Sequence, residues 1–592
     1  MARVAPALSR ALDRWQPKLT AQRALFTPAE LAKLDAARRA VSASGRTVAY
    51  CVFENPFARA GGIFAVATHL PPALKAAGEN VVLLTPFHRN LVTTPQYYTL
   101  NHLGDLYIPF ARDSVRTEIF EHWDGLGNRW ILMQAWGIFD AAGGPDGKNP
   151  YAYDSFWLLL RDALFASAAA PHVLAHLGIR QNVIFHAQDW QFAATALTVK
   201  DAVLKGLLDS AAAVLTSHNP YDSILPDYHL GWITGRTGWD QWPLGRDTFY
   251  RRMIPLTDAP LSTVSLNFAR ELTADPLQAD LMAAHLQDVY ASQGVVGVDN
   301  PLFGAARDPF SEAASKEGRA GRPALLLKEK LAKRRTLLDT LERYRDARIF
   351  GGLDGGDGAP LTELPDDTPI FMMFGRMDPA QKGFDLLARA IEGFAPGEAK
   401  FILTPIVGAG TDAYVDDLRR LATRRAGDVA VYPFRMESGY MEAMAGATFA
   451  VMPSIYEPFG AATEAYLAGT PVVARATGGL LSQVIDFRND PAKGTGLLFH
   501  EKLALGPLWR GVVDAPDPET RVHNLLYVQM AEALYDALQT AARLWRTDRA
   551  GYARLLANVY PQALSFSTEA AADGYRAIYD RATADDGRLA SI

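Results

Sequence analysis

VMPSIYEPFGAATEAYLAGTPVVARATGGLLSQV, from Val451 to Val484, sets an acidic residue and two glycine-bearing turns among apolar runs. The run from Phe449 to Met452 reads as a buried strand, and Ala461 to Ala468 reads as a helix entered through Phe459-Gly460, with Glu457 opening the loop between them. Backbone N–H groups at such a helix start suit an anion. A second turn of this kind follows at Thr477-Gly478-Gly479.

The same alternation extends outward along the chain. Thr47 to Phe53 reads as a strand, Ile63 to Ala77 as a helix with Ile63, Val66, Leu70 and Leu74 on one face, and Val81 to Thr85 as the next strand. Further strands are predicted at Val183 to Phe185 and Ala212 to Thr216. The stretch IFGGLDGGDGAPLTELPDDTP, residues 349 to 369, is rich in Gly, Pro and Asp and reads as a linker, after which strands resume at Ile370 to Phe374, Phe401 to Thr404 and Val429 to Tyr432. The fold class expected is α/β: two Rossmann-like domains with parallel sheets facing across a cleft, ligands binding at the carboxyl ends of the strands. The predicted divisions are a helical extension at 1–45, a first domain at 46–345, a linker at 346–369, a second domain at 370–558 and a closing segment at 559–592.

Composition narrows the function. A chain of 592 residues, 49% hydrophobic and 21% charged, is globular and too long for one core. A net charge of −6 argues against nucleic acid as a partner, because binding by counterion release needs a basic face. One cysteine, Cys51, rules out an internal disulfide framework and suits a reducing cytoplasm, the location expected. No apolar run approaches the roughly 20 residues of a membrane span, and no membrane association is expected. Met1 to Ala40 is interrupted by charges and reads as a solvated helical extension rather than a signal peptide.

Taken with FGRMDPAQKGFDLL, from Phe374 to Leu387, the opening segment resembles the donor site of the glycogen and starch synthases, retaining glycosyltransferases of the GT-B fold. In the N-terminal half, RAGGIFAVATHLPPALKAAGENVVLLTP from Arg59 is similar to the family's phosphate-facing Lys-Thr-Gly-Gly loop and its following helix, with Arg59 for the Lys, Gly61 and Gly62 retained, and Ala65 where the family has Asp. HAQDW, from His186 to Trp190, resembles the family's His-Ala-His-Asp-Trp, with Gln188 for the second His. His218-Asn219 resembles its Thr-x-His-Asn segment, and Asp154 lies in a segment faintly similar to an acidic sugar-binding position. The family's nucleobase-contacting aromatic has no clear counterpart, and Tyr440 and Phe434 are the candidates for its place. GTGLLF and the helix bearing Ala572, Tyr575 and Tyr579 resemble the closing stretch, whose last helix crosses back to the first domain. The interval from Arg376 to Lys382 is one residue longer than the usual pattern, and that from Glu457 to Gly469 one shorter. Loops absorb such changes, and nucleotide preference is not carried over.

The resemblance implies glucose transfer with retention from ADP-glucose or UDP-glucose to the non-reducing end of an α-1,4-glucan. Alternatives are a sucrose- or trehalose-type transferase with a small acceptor, and a catalytically silent glucan-binding protein, the latter motivated by Ala65 and Gln188. Bond cleavage between diphosphate and sugar needs fixed cations at the leaving group and a carboxylate near the sugar. Arg376 and Lys382 supply the first and Glu457 the second. Backbone N–H groups at Gly460 and at Gly478-Gly479 add donors. Nucleotide-sugar contacts are expected from Arg59, Gly61, Gly62, Gln188, Phe459, Gly460, Thr477, Gly478 and Gly479, and also from Asp154, His186, His218, Asn219 and Tyr440. His186 reads equally as a core residue and Gln188 as a structural hydrogen bonder. No cofactor and no metal are expected, because no ligand cluster is apparent in the sequence. The partners expected are the nucleotide sugar and a glucan acceptor.

Overall fold

A computed structural model of the protein describes residues 4–143, 149–226, 228–236, 247–303, 306–408, 410–502 and 506–587. The chain divides into two compact units. One comprises Met1–Thr273, Met282–Phe303 and Ser567–Ile592, the other Ala274–Leu281 and Gly304–Phe566.

In the first unit a nine-stranded sheet runs in the order Val295–Gly297, Leu261–Thr263, Ala211–Ser217, Val183–Gln188, Thr47–Cys51, Asn80–Pro86, Arg129–Ala135, Asp113–Trp123, Asn101–Phe110. The first seven are parallel and the last two antiparallel. Period-2 alternation buries both faces of the parallel part. The Thr47–Cys51 strand sends Ala49 and Cys51 into one core and Val48 and Tyr50 into the other. The second core is closed by the helix Gly62–Ala76, through Val66, Leu70 and Leu74, and by the helix Thr568–Thr583, through Tyr575, Ile578 and Tyr579. Each such buried side chain is worth about 1.5–3 kcal/mol of transfer free energy. From Thr47–Cys51 the chain builds toward Asn80–Pro86 and Arg129–Ala135, then returns to Val183–Gln188 on the other side. That reversal opens a crevice at the carboxyl ends of Thr47–Cys51 and Val183–Gln188.

The second unit repeats the plan with seven strands, ordered Phe350–Leu353, Asp428–Val431, Lys400–Ile406, Ile370–Arg376, Phe449–Met452, Val472–Arg475, Gly496–Phe499. All pairs are parallel except the first. Its reversal lies between Ile370–Arg376 and Phe449–Met452. The α/β class is therefore as expected, and both predicted sheets are present.

The divisions differ from the sequence reading. The predicted solvated extension at 1–45 is part of the first unit, with Leu8, Leu12, Leu31 and Leu34 buried in its cores, and Ala274–Leu281, assigned to the first domain, falls in the second unit. Residues 306–345 belong to the second unit, where the helix Ala324–Arg343 buries Leu337 and Leu338 and its Lys330 ammonium donates to the carbonyls of Ala445 and Gly469. The supposed linker contains the strand Phe350–Leu353. Its glycines reflect close approach, since a Cβ on Gly351, at φ +74°, would lie 2.3 Å from the Val429 carbonyl oxygen. The second unit also extends through Phe566, so the return to the first unit begins at Ser567 rather than at 559; residues 588–592 of the expected closing segment lie outside the described residues. One helix, Phe156–His176, is long and apolar enough by length and composition to cross a membrane, and 72% of its apolar window is buried inside the protein.

Candidate active site

At the reversal of the second sheet two loops are zipped together. The strand Ile370–Arg376 ends at exposed Arg376, whose Nη2 donates to Gln381 Oε1 at 3.4 Å. The turn after it closes through Lys382 N–H to the Asp378 carbonyl (2.8 Å), and Ile455 N–H donates to the Gln381 carbonyl (2.7 Å), tying this turn to the loop that carries Glu457. Lys382 Nζ lies 2.5 Å from Glu457 Oε2, which also accepts from Ser454 Oγ at 3.0 Å. Arg376, Lys382 and Glu457 are thus brought together on two adjoining loops.

The glycine turns hold that arrangement. Gly479 N–H donates to the Glu457 carbonyl at 3.0 Å. Gly478, at φ +47°, passes so close that a Cβ would sit 1.7 Å from the same oxygen. Thr477 is buried, with its N–H on the Arg475 carbonyl, and Phe459 is buried edge-on to Phe566 at 5.7 Å. The Gln483 amide spans both turns, donating to the Phe459 carbonyl at 2.9 Å and accepting from Ala462 N–H at 2.9 Å. The Gly479 N–H is thus spent inside the protein, against the expectation for it, and so is the first N–H of the helix Ala462–Leu467. The glycines shape the loop and aim Glu457.

Tyr440 begins the helix Tyr440–Gly446 and packs edge-on to Phe374 at 6.0 Å, while Phe434 lies under the Arg348 guanidinium at 3.8 Å. Glu464, which the sequence reading missed, couples electrostatically to both Lys382 and Tyr440. It stands in the first turn of the helix Ala462–Leu467, where an acidic side chain complements the positive end of the helix dipole.

At the first unit's reversal, Arg59 is exposed, its Nε on the Pro56 carbonyl at 3.0 Å and its guanidinium 4.8 Å from the Phe64 ring centroid. Gly61 and Gly62 open the helix Gly62–Ala76. The N–H groups of Ala60 and Gly61 are taken by buried Glu54 Oε2, at 2.8 and 3.1 Å, and Tyr151 Oη donates to Glu54 Oε1 at 3.1 Å. Burial raises the Glu54 carboxyl above the usual range, against the pull of these donors. Glu54 too was missed, and nothing in its local sequence marks it.

Of the two readings open to His186 and to Gln188, the hydrogen bonds each makes match the structural one. His186 is fully buried, with Nδ1 on Tyr579 Oη (2.8 Å) and Nε2 on Thr216 Oγ1 (2.7 Å), so both ring nitrogens are spent on the core. Burial drives its pKa down to about 3. Gln188 is 1% exposed. Its Oε1 accepts from His218 Nε2 at 2.7 Å and its amide nitrogen reaches the His186 carbonyl, so it buttresses His218 rather than facing a ligand. Asp189 adopts φ +56°, a left-handed conformation costing on the order of 1–3 kcal/mol in a residue with a side chain. It accepts from His218 N–H (2.6 Å), Asn219 Nδ2 (3.2 Å) and Tyr250 Oη (3.3 Å). Burial raises its pKa to about 7 despite those donors, with Glu54 adding to the rise. His218 is lowered by burial to about 4. Asn219 Oδ1 accepts from the N–H of Tyr221, which lines a cavity of about 580 Å³ together with Asp222, Thr248 and His285. Asp154 is exposed at the joint between the strand Asn149–Tyr153 and the helix Phe156–His176.

Residues 47–286 match the family model described as the starch synthase catalytic domain, and 333–500 match one described as family 4 glycosyltransferase in conflict systems. The chain is 27% identical to glycogen synthase 2 of Geobacter sulfurreducens, across 75% of its own length and 86% of that protein. It is 28% identical to the glycogen synthase of Myxococcus xanthus, across 78% and 91% respectively. Among solved structures, the catalytic domain of starch synthase IV from Arabidopsis thaliana, bound to ADP and acarbose, shares the fold with a TM-score of 0.67 and 20% identity, covering 91% of this chain and 100% of that one.

Proposed function

Because the chain belongs to the glycogen and starch synthase family of GT-B glycosyltransferases, we propose that it transfers glucose, with retention, from ADP-glucose or UDP-glucose to the 4-hydroxyl at the non-reducing end of an α-1,4-glucan. The observation that carries the reading is the Lys382 ammonium 2.5 Å from the Glu457 carboxylate, with Arg376 on the same loop, at the reversal of a parallel sheet. Positive and negative groups side by side match what the transition state develops: negative charge on the departing diphosphate and positive character at the sugar carbon.

In this reading the bond between sugar C1 and the diphosphate oxygen breaks with its electron pair leaving on the diphosphate. Arg376 and Lys382 hold that charge. The acceptor 4-hydroxyl attacks C1 from the face the diphosphate leaves, and its proton passes to the departing phosphate oxygen, so no protein base is needed. Glu457 orients sugar hydroxyls and favours the cationic carbon. In the first unit, His218, held by Gln188 and Asp189, offers an imidazole kept neutral by burial, suited to hydrogen bonding rather than proton transfer near pH 7. The two cations stand where other transferases place a divalent metal. A cytoplasmic location is part of this proposal, and the single cysteine, Cys51, supports it.

The test is to incubate the protein with ADP-glucose or UDP-glucose and glycogen, following nucleoside diphosphate release, chain length after debranching, and the anomeric proton of the product by NMR. Elongation through α-1,4 links that persists in EDTA is expected. A small glycoside as product, or an absolute need for Mg²⁺ or Mn²⁺, overturns the proposal.

A further inference from the structure

Arg475 closes the strand Val472–Arg475 with its side chain buried, the residue being only 4% exposed. A guanidinium keeps its charge at any pH a protein meets, so holding one away from water is costly unless its partners fix it. What those partners are shows what the charge is there to hold.

Its Nε donates to Glu501 Oε2 at 2.9 Å and its Nη2 to Glu501 Oε1, a two-pronged pair in which both side chains are buried. The fully buried Trp509 ring covers the guanidinium, its centroid 5.0 Å from Cζ. With the planar fork fixed in this way, Nη1 donates to the Ile455 carbonyl at 2.7 Å. Ile455 lies two residues before Glu457, on the loop that follows the parallel neighbouring strand Phe449–Met452. Its N–H donates to the Gln381 carbonyl at 2.7 Å, next in the chain to Lys382. Both backbone groups of this one residue are therefore taken, one by the loop of Arg376 and Lys382 and the other by Arg475. The Arg475 carbonyl in turn accepts from Thr477 N–H at 2.9 Å, starting the turn whose Gly479 N–H holds the Glu457 carbonyl. Arg475 thus reaches the Glu457 loop twice, ahead of the carboxylate by its side chain and at it by its backbone turn.

We propose that Arg475 is a positioning residue for the transfer: it fixes the Ile455 carbonyl and so sets the Glu457 carboxylate in its place beside Lys382, while Glu501 orients Arg475. The inference rests on the proposed role of Glu457 at the sugar. Lys382 Nζ lies 2.5 Å from Glu457 Oε2 and Ser454 Oγ reaches the same oxygen at 3.0 Å, so a loop that turns about Ile455 carries the carboxylate away from Lys382. Transfer rates depend steeply on such placement, a displacement of about 1 Å being enough to cost about 10²-fold. Lysine at this position would keep the charge and lose the fork, because one ammonium on a flexible stem does not serve the Ile455 carbonyl and both Glu501 oxygens in one plane. A brace for the strand end alone would need the pair with Glu501 and not the bond to Ile455.

The experiment places Arg475→Lys and Glu501→Gln, separately, in the wild-type chain and in Glu457→Gln, with folding followed by near-UV circular dichroism. Glycogen elongation gives kcat and the KM for nucleotide sugar, calorimetric titration gives the affinity for ADP and UDP, and hydrogen exchange read by mass spectrometry follows residues 453–460. In the wild-type background each substitution is expected to lower kcat by about tenfold or more, with nucleotide KM and affinity changed by less than about threefold, and to speed exchange across 453–460. In Glu457→Gln the same substitutions are expected to cost less than about twofold, because the charge they place is gone. Should Arg475→Lys not fold, Glu501→Gln carries the comparison, since its amide keeps the side-chain shape and one acceptor for Arg475. Equal losses in both backgrounds, a loss confined to nucleotide affinity, or unchanged kcat or exchange in folded variants overturns the positioning role and leaves the function standing. A wild type that turns over no nucleotide sugar overturns the function, and the role of Arg475 in transfer with it.

Discussion

At Glu457 the carboxylate is held by Lys382 and Ser454, and its backbone carbonyl by Gly479. Replacing it with Gln keeps shape and hydrogen-bonding capacity and removes only charge. Turnover of Glu457→Gln is expected to fall by about 10² or more, with the thermal unfolding temperature little changed, as initial rates and calorimetry would show. Near-wild-type rates would take this residue out of the mechanism. His186 and His218 permit a different prediction. Both are neutral in the fold, with pKa values of about 3 and 4 against 6.5 for the free side chain. As pH falls through 6.5 the unfolded chain takes up protons that the fold refuses, so stability is full above 6.5 and is lost toward 4. Asp189 acts in the opposite sense. Raised from 3.8 to about 7, it keeps a proton that the unfolded chain has released, and stability falls as pH rises across that window. His218→Asn removes one of the acid-sensitive groups. Between pH 4 and 6.5 its stability should therefore depend on pH less steeply than wild type by about 1.4 kcal/mol per pH unit, measured by denaturant titration at several pH values. Identical slopes would show that His218 is already charged in the fold.

Elements with a simple period were legible. Phe449–Met452 forms the strand expected of it, and others, such as Ile370–Arg376, run one or two residues beyond the expected ends. Strands that depend on partners were not. Asn101–Phe110 and Asp113–Trp123 pair antiparallel at the sheet's edge with half-exposed, weakly patterned faces, and Phe350–Leu353 reads as a turn because its glycines answer a clash with Val429 that only the fold creates. The site divides likewise. Arg376, Lys382 and Glu457 meet because two loops follow adjacent strands, which the strand–turn–helix pattern conveys. Glu54 meets Tyr151, and Asp189 meets His218 and Tyr250, only through the fold, and the contact of Gln188 with His218 is what selects the structural one of its two readings. The Thr477–Gly479 turn tests how strictly the element sets the residue. In Gly478→Ala the new methyl meets the Glu457 carbonyl and the residue keeps an unfavourable φ, so the turn must open. A cost of roughly 3 kcal/mol or more is expected, together with loss of activity, read by denaturant unfolding and by rate assay. A folded, fully active variant would show that the turn has room that its geometry denies.

Over the whole chain the two units are interleaved. The second is nearly continuous, from Gly304 to Phe566, whereas the first is unfinished until its last segment, from Ser567, is added. That segment covers one face of the first sheet with Tyr575, Ile578, Tyr579 and Ala582, and Tyr579 Oη gives His186 its Nδ1 partner. The N-terminal helices fasten the same segment. Arg38 donates to the carbonyls of Ala582 and Ala584 and pairs with Asp35 and Asp586, while Arg46 pairs with Glu79 and Asp580. A chain ending at Phe566 loses that apolar cover and leaves Arg38 and Asp35 as a buried remnant of a larger charge network, a change costing several kcal/mol at each broken site. The second unit loses none of its own residues. Hydrogen exchange read by mass spectrometry should then show protection lost across Val183–Gln188 and Ala211–Ser217 and retained across Ile370–Arg376 and Phe449–Met452. Equal protection in both sheets of the truncated chain would mean that the first unit completes its core without the segment, and that the helix Thr568–Thr583 is a surface addition rather than part of the sheet's packing.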